Sequence, residues 1–138
     1  MGDTYNSIAD AEADRMQQKG LLVALNAWER ALRRDECGAW CISGKAGSIH
    51  TWGDGVGWVL YVSCRSGLHW TATKKRLNFL KLIQDGDIEG CFRIYVLPSA
   101  EQAAIIRKVL GVQKRRNVSA TLLERLRTYV RVRAEASL

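Results

Sequence analysis

The stretch from Gly57 to Leu97 constrains the fold most, because apolar runs and tight-turn residues follow one another there without interruption. The run 58–64 is rich in β-branched and aromatic residues, which favour pleated strands. Two further apolar runs, 78–84 and 91–97, flank the polar, glycine-rich sequence 85–90, which has the composition of a hairpin turn. This stretch therefore predicts an antiparallel meander.

The link inside the meander permits two interpretations. We predict residues 68–73 as a strand and treat Lys74-Lys75-Arg76 as a basic connection to a strand over 78–84. In the alternative, Thr71 or Thr73 caps a helix, and Leu77, Leu80 and Ile83 share one of its faces. The hairpin turn and the apolar strand that follow favour the strand.

The N-terminal part predicts a helix over residues 7–36, after a loose lead-in at 1–6. Ser7 can cap the helix, and apolar residues recur further along at helical spacing: Leu21, Leu25, Trp28 and Leu32. Gly20 lies inside this pattern and costs about 1 kcal/mol relative to alanine. Two short strands, 39–43 and 48–52, are then predicted between closely spaced glycines.

The C-terminal part predicts two helices. Ser99 and Gln102 form a capping box at the start of the first, and Gly111 is placed to end it. A polar connection containing Lys114-Arg115-Arg116 leads to a second helix, which begins after Ser119.

The chain is therefore predicted to be an α+β protein with an N-terminal helix, an antiparallel meander sheet of four to six strands and two C-terminal helices. Its 138 residues, 47% of them hydrophobic, suit one domain over 1–138. Within that domain we expect the helix at 7–36, the β-meander at 38–97 and a basic helix pair at 99–135.

Composition also bears on location. No apolar run reaches the roughly 18 residues that a membrane helix requires, so we expect no membrane contact. The four cysteines are interpreted as free thiols, and we expect a cytoplasmic protein. Their spacing with the two histidines, His50 and His69, fits no standard zinc site, and no nucleophile signature surrounds either histidine. We therefore expect no metal and no cofactor, and favour a noncatalytic role.

Charge gives the main functional indication. The formal net charge is +7, and from residue 98 to the end nine basic residues face only three acidic ones. Such a local excess favours an anionic partner. The simpler interpretation is that these bases form a charged surface that keeps the protein in solution and binds no ligand.

From this we predict a noncatalytic nucleic-acid-binding domain that contacts phosphates through its C-terminal basic residues. The predicted contacts are Lys114, Arg115, Arg116, Arg125, Arg127 and Arg131, with Lys74, Lys75 and Arg76 as a second contact. The pattern does not distinguish RNA from DNA. The alternative is a protein-interaction or inhibitory module, or a homodimer that buries exposed tryptophans.

Tryptophans add a second possibility. Trp40, Trp52, Trp58 and Trp70 all lie in the predicted sheet region, and exposed aromatic residues between bases can stack unpaired nucleobases. Aromatic residues on a sheet more often belong to the core. We expect at least three of the four in the core.

Overall fold

The computed structural model describes residues 4–52, 55–116 and 125–128. Its elements in chain order are α1 (Ile8–Ala24), a 3-10 turn (Glu29–Ala31), β1 (Leu32–Arg34), β2 (Trp40–Ser43), β3 (Gly47–Thr51), β4 (Trp58–Ser63), α2 (Gly67–Arg76), β5 (Lys81–Asp85), β6 (Glu89–Ile94) and α3 (Ala100–Leu110). The strands form one six-stranded sheet in the order β1-β2-β3-β4-β6-β5, and every neighbouring pair is antiparallel. The predicted α+β class and antiparallel sheet are confirmed.

The core lies between the three helices and one face of the sheet. A row of cross-strand partners supplies its centre: Ile42, Ile49, Leu60 and Phe92. All four are buried in one cluster together with apolar residues of α1, α2 and α3. Because side chains alternate along a strand, the residues between them point to the opposite face.

Helix α1 is shorter than the predicted helix at 7–36. It starts as expected, with the Ser7 side chain accepting a hydrogen bond from the Asp10 amide, but it ends at Ala24. Asn26 then adopts a left-handed conformation with φ 50°, which an α-helix does not tolerate. Leu32, expected on the helix, instead pairs with Ile42 in β1, so the tertiary pairing overrides the apolar spacing.

Residues 68–73, predicted as a strand, belong to helix α2. Strand β4 pairs with β6, which leaves β5 at the edge, so the chain must cross over β6 between β4 and β5. Ser66 caps the crossover helix by accepting from the His69 amide. Trp70 packs edge-on against Phe92 at 5.7 Å between ring centroids and is buried.

The end of the chain agrees with the prediction as far as it is described. Strands β5 and β6 enclose the predicted turn, and the capping box of Ser99 and Gln102 starts α3. Gly111 ends α3 with φ 72°. Of the predicted second helix, only residues 125–128 lie within the described part, and these are helical.

The tryptophans divide between core and surface. Trp58 and Trp70 are buried, Trp40 is half-buried, and Trp52 is exposed, so two of the four are fully buried, where at least three were expected in the core. Trp28, placed on the apolar face of the predicted helix, is also exposed, because it follows the end of α1.

Among the helices that the structure describes, none has the length and apolar character needed to cross a membrane.

Two glycines give a matched test of this packing. A Cβ on Gly90 would lie 2.2 Å from the Gln84 carbonyl oxygen and 2.6 Å from the Trp70 ring, whereas a Cβ on Gly20 meets nothing within 4 Å. We expect Gly90→Ala to lower the free energy of unfolding by roughly 1–3 kcal/mol through overpacking. Gly20→Ala should raise it by about 1 kcal/mol through helix propensity. Urea unfolding measures both, and equal effects would contradict this packing.

Candidate nucleic-acid interface

The predicted basic connection after α3 is paired with the N-terminal half of the chain. The Trp28 amide donates to the Gln113 carbonyl at 2.8 Å, and the Arg115 amide donates to the Asn26 carbonyl at 2.8 Å. Between them, Ala27 and Lys114 form an antiparallel bridge. This short ladder fixes the backbone that carries Lys114 and Arg115 beside the end of α1.

Helix α3 holds the same junction from a second direction. The Arg107 guanidinium donates to the carbonyl of Leu25, which caps α1. A cation at a helix C-terminus complements the helix dipole and satisfies one of its last carbonyls. Arg107, one of the nine basic residues from position 98 onward, therefore stabilises the fold.

A cleft opens where α1 meets this ladder, with a volume of about 490 Å³. We call it the basic cleft; it is lined by Arg15, Lys19, Leu22, Val23, Asn26, Ala27, Glu29, Leu32, Trp40 and Arg115. Its apolar lining comes from the last turns of α1, the residues after it and strands β1 and β2, and its cations come from α1 and from the segment after α3. The volume lies in the range of small-ligand pockets.

Arginine side chains surround the aromatic wall of the cleft. The guanidinium of Arg34 lies 5.1 Å from the centroid of the Trp40 ring, and that of Arg15 lies 6.0 Å from it. Arg34 and Trp40 are also cross-strand partners in β1 and β2. An aromatic ring flanked by guanidinium groups matches the planar, anionic chemistry of a nucleotide.

Tyr5 anchors the segment before α1 to this wall. Its hydroxyl donates to the Asp14 carboxylate and accepts from the Trp40 amide at 2.7 Å. Burial, reinforced by the hydrogen bond to Asp14, raises the pKa of Tyr5 to about 12, so the phenol stays protonated at neutral pH. The neutral hydroxyl of Tyr5 thus positions the Trp40 backbone by accepting from its amide, while it donates to Asp14.

Two acidic residues lie close to the cations of the cleft. Glu12 accepts from Arg15 at 2.9 Å, and Glu29 lies 3.8 Å from Arg115. These pairs are solvent-exposed, and exposed pairs contribute little to stability. Within the described ranges, Lys114 and Arg116 make no ion pair, so the basic segment keeps most of its charge.

The predicted second contact lies elsewhere. Lys74, Lys75 and Arg76 form the last turn of α2, not a loop, and Lys74 pairs with Asp85 of β5 at 3.1 Å. The cleft borders β1 and this turn borders β5, and these are the two edges of the sheet. Five strand spacings of about 4.8 Å separate those edges by roughly 24 Å. The two basic groups therefore do not form one site.

The remaining predicted contacts are described only in part. Arg125 and Arg127 are exposed on a helical segment, while Arg131 lies outside the described residues.

Sequence reasoning missed the contribution of α1. Arg15 and Lys19 were not among the predicted contacts, although their i, i+4 spacing already places them on one helix face. Asn26, which has a positive φ, also lines the cleft. The helical spacing of Arg15 and Lys19 was the signal available in the sequence. Their position at the same cleft as Arg115 follows only from the tertiary structure.

The described residues contain no group of three His, Cys, Asp or Glu side chains able to hold a metal ion. His50 is hydrogen-bonded to Asp35, and His69 accepts from the Arg65 amide at 3.4 Å.

Comparisons with protein-family models, curated proteins and solved structures found no significant match to this chain.

The turn between β1 and β2 gives a pH-dependent test of how the cleft wall is positioned. Asp35 accepts from the amides of Cys37 and Ala39, each at 2.9 Å, and its other oxygen lies 3.0 Å from His50. The hydrogen bond from His50 is the main cause that lowers the pKa of Asp35 below its ordinary value. The ionised carboxylate therefore stabilises the fold above about pH 4, and this contribution is lost as the pH falls through the lower folded pKa.

Asp35→Asn keeps a side-chain oxygen that can accept from the Cys37 and Ala39 amides, but it removes the negative charge. We expect it to lower the free energy of unfolding by a few tenths of a kcal/mol to about 1 kcal/mol at pH 6, and by much less at pH 3. Urea unfolding at both pH values measures the difference. An effect that is the same at pH 3 and pH 6 would contradict the charged pairing.

Proposed function

We propose that this chain is a noncatalytic nucleic-acid-binding domain whose basic cleft and the adjoining Lys114–Arg116 segment contact phosphates. The observation that carries the proposal is the meeting of Arg115 with Arg15 and Lys19 around one cleft, beside the Trp40 ring. Cations from both ends of the chain converge there, as binding to a polyanion requires.

Backbone rigidity supports the same role. The ladder to residues 26–28 fixes Lys114 and Arg115, so only their side chains must be ordered when a ligand binds. Glu12 and Glu29 hold two of the arginines at the cleft through exposed pairs, which a phosphate can replace at small cost.

A cytoplasmic location is part of this proposal. All four cysteines are free thiols, which suits a reducing compartment.

A protein partner or a second copy is the alternative. The observation that favours it is the edge strand β5, which is exposed along its whole length and carries Leu82 and Ile83 at the surface. An exposed edge strand can pair with another chain. Light scattering after size-exclusion chromatography measures the mass in solution: a monomer contradicts the homodimer.

The nucleic-acid proposal is tested by the salt dependence of binding. For wild type, the affinity for a labelled mixed-sequence DNA duplex should fall linearly on a logarithmic plot against salt. Lys114→Ala combined with Arg116→Ala should weaken binding and make the slope shallower by about 2, one for each lost phosphate contact.

The matched control is Lys75→Ala combined with Arg76→Ala, which removes the same net charge from the far edge of the sheet. We expect its slope to stay close to that of wild type. If both double variants change the slope equally, binding is not located at the Lys114–Arg116 segment beside the cleft. If wild type binds neither RNA nor DNA at low salt, the proposed function is wrong.

A further inference from the structure

The second face of the sheet carries a different set of side chains from the face under the helices. Helices α1, α2 and α3 all contribute to the single core cluster on the face of Ile42, Leu60 and Phe92. We call the opposite one the open face. A row of cross-strand partners on it runs His50, Val59, Arg93 and Lys81.

Aromatic rings gather at one end of the open face. Arg93 lies with its guanidinium carbon 4.0 Å from the Trp52 ring centroid and 5.0 Å from that of Tyr95, so both rings are on this face. Arg93 also donates to the Val56 carbonyl at 2.7 Å and is buried. The rings themselves remain accessible: Trp52 is 38% exposed and Tyr95 is 51% exposed.

Tyr61 extends this aromatic surface along β4. It pairs with Cys91, two positions from the pair of Val59 and Arg93, and is 37% exposed. Its hydroxyl donates to the Glu89 carboxylate, and this hydrogen bond is the main cause that raises the pKa of Tyr61.

We propose that the open face stacks unpaired nucleobases of a single-stranded nucleic acid on Trp52, Tyr95 and Tyr61. This inference rests on the proposed function and specifies its ligand. A nucleobase presents a flat π surface that stacks on aromatic rings, and base–aromatic stacking tolerates any sequence. The buried Arg93 holds two of the rings in place before the ligand arrives.

Charged side chains of both signs lie on the open face. Glu89 is hydrogen-bonded by Tyr61 and Asp35 by His50, whereas Arg33 and Lys81 make no ion pair within the described ranges. A phosphate backbone that passes across the strands would neutralise these two cations.

A duplex is a poor ligand for this face. Its bases are stacked on one another and paired, so their π surfaces are unavailable to Trp52 and Tyr95. Duplex binding would therefore depend on phosphate contacts alone, which the basic cleft supplies. The open face thus predicts a preference for single strands over duplexes.

An exposed apolar residue away from both surfaces serves as the control. Leu68 is 87% exposed on α2, which packs on the other face of the sheet. Affinities of Trp52→Leu, Tyr95→Leu and Leu68→Ala would be measured for a labelled single-stranded RNA of about 12 nucleotides and for the matching duplex. Trp52→Phe keeps an aromatic ring, and thermal unfolding checks that each variant is folded.

We expect Trp52→Leu and Tyr95→Leu each to weaken single-strand binding roughly tenfold and to change duplex binding less than about twofold. Leu68→Ala should change neither by more than about twofold, and Trp52→Phe should retain most of the single-strand affinity. If Trp52→Leu fails to fold, Tyr95→Leu decides alone, because its ring is the more exposed.

Two outcomes overturn the inference and leave the proposed function standing: unchanged single-strand affinity in Trp52→Leu and Tyr95→Leu, or an equal loss in Leu68→Ala. The loss from Lys114→Ala with Arg116→Ala on both ligands would then still locate phosphate binding at the segment beside the cleft. If wild type binds neither ligand, both proposals are wrong.

Discussion

The backbone ladder between residues 26–28 and 113–115 decides where the charge of this chain is presented. It joins the end of α1 to the segment after α3, two stretches that are far apart in sequence. Without it, Lys114 and Arg115 would lie on an unsupported loop, and Arg15 and Lys19 would be isolated bases on a helix. Asn26 provides the left-handed turn that lets the chain leave α1 and enter the ladder, and Arg107 caps the helix at the same point. The cleft is a consequence of that junction.

The sheet gives the molecule two different surfaces. On one side it buries apolar rows under the helices, and Gln18 of α1 crosses into this layer to donate to the carbonyls of Trp40 at 3.2 Å and Ile49 at 3.0 Å. A buried amide that bonds to two strands fixes the height and rotation of the helix over the sheet. On the other side, the same alternation exposes rings and cations. Strand β1 belongs to both surfaces, because Arg34 faces the Trp40 wall and Arg33, the next residue along the strand, faces the opposite way.

Strands β2 to β6 were predictable because their signal is local, whereas β1 lies in a stretch predicted as helix. Alternation and β-branched residues mark β4 and β6, and the polar turn before Glu89 marks the hairpin. Helix α2 was missed because Trp70, Thr71 and Thr73 are residues that strands favour, whereas the need for a crossover comes from strand order, which no local pattern contains. The early end of α1 has the same origin, since Leu32 is drawn into β1 by Ile42. For the site, the clustered bases at 114–116 were evident from the sequence. Their proximity to Arg15 and Lys19 of α1 depends on a contact between the two ends of the chain.

An NMR titration with a short mixed-sequence DNA duplex tests the central claim most directly, namely that the junction of the two chain ends is the phosphate-binding surface. The account predicts that the largest amide shifts fall on residues 15–19, 26–28 and 113–116, and that they diminish together as salt is added. Shifts that instead centre on the last turn of α2 and on β5, or that spread evenly over the molecule, would contradict it.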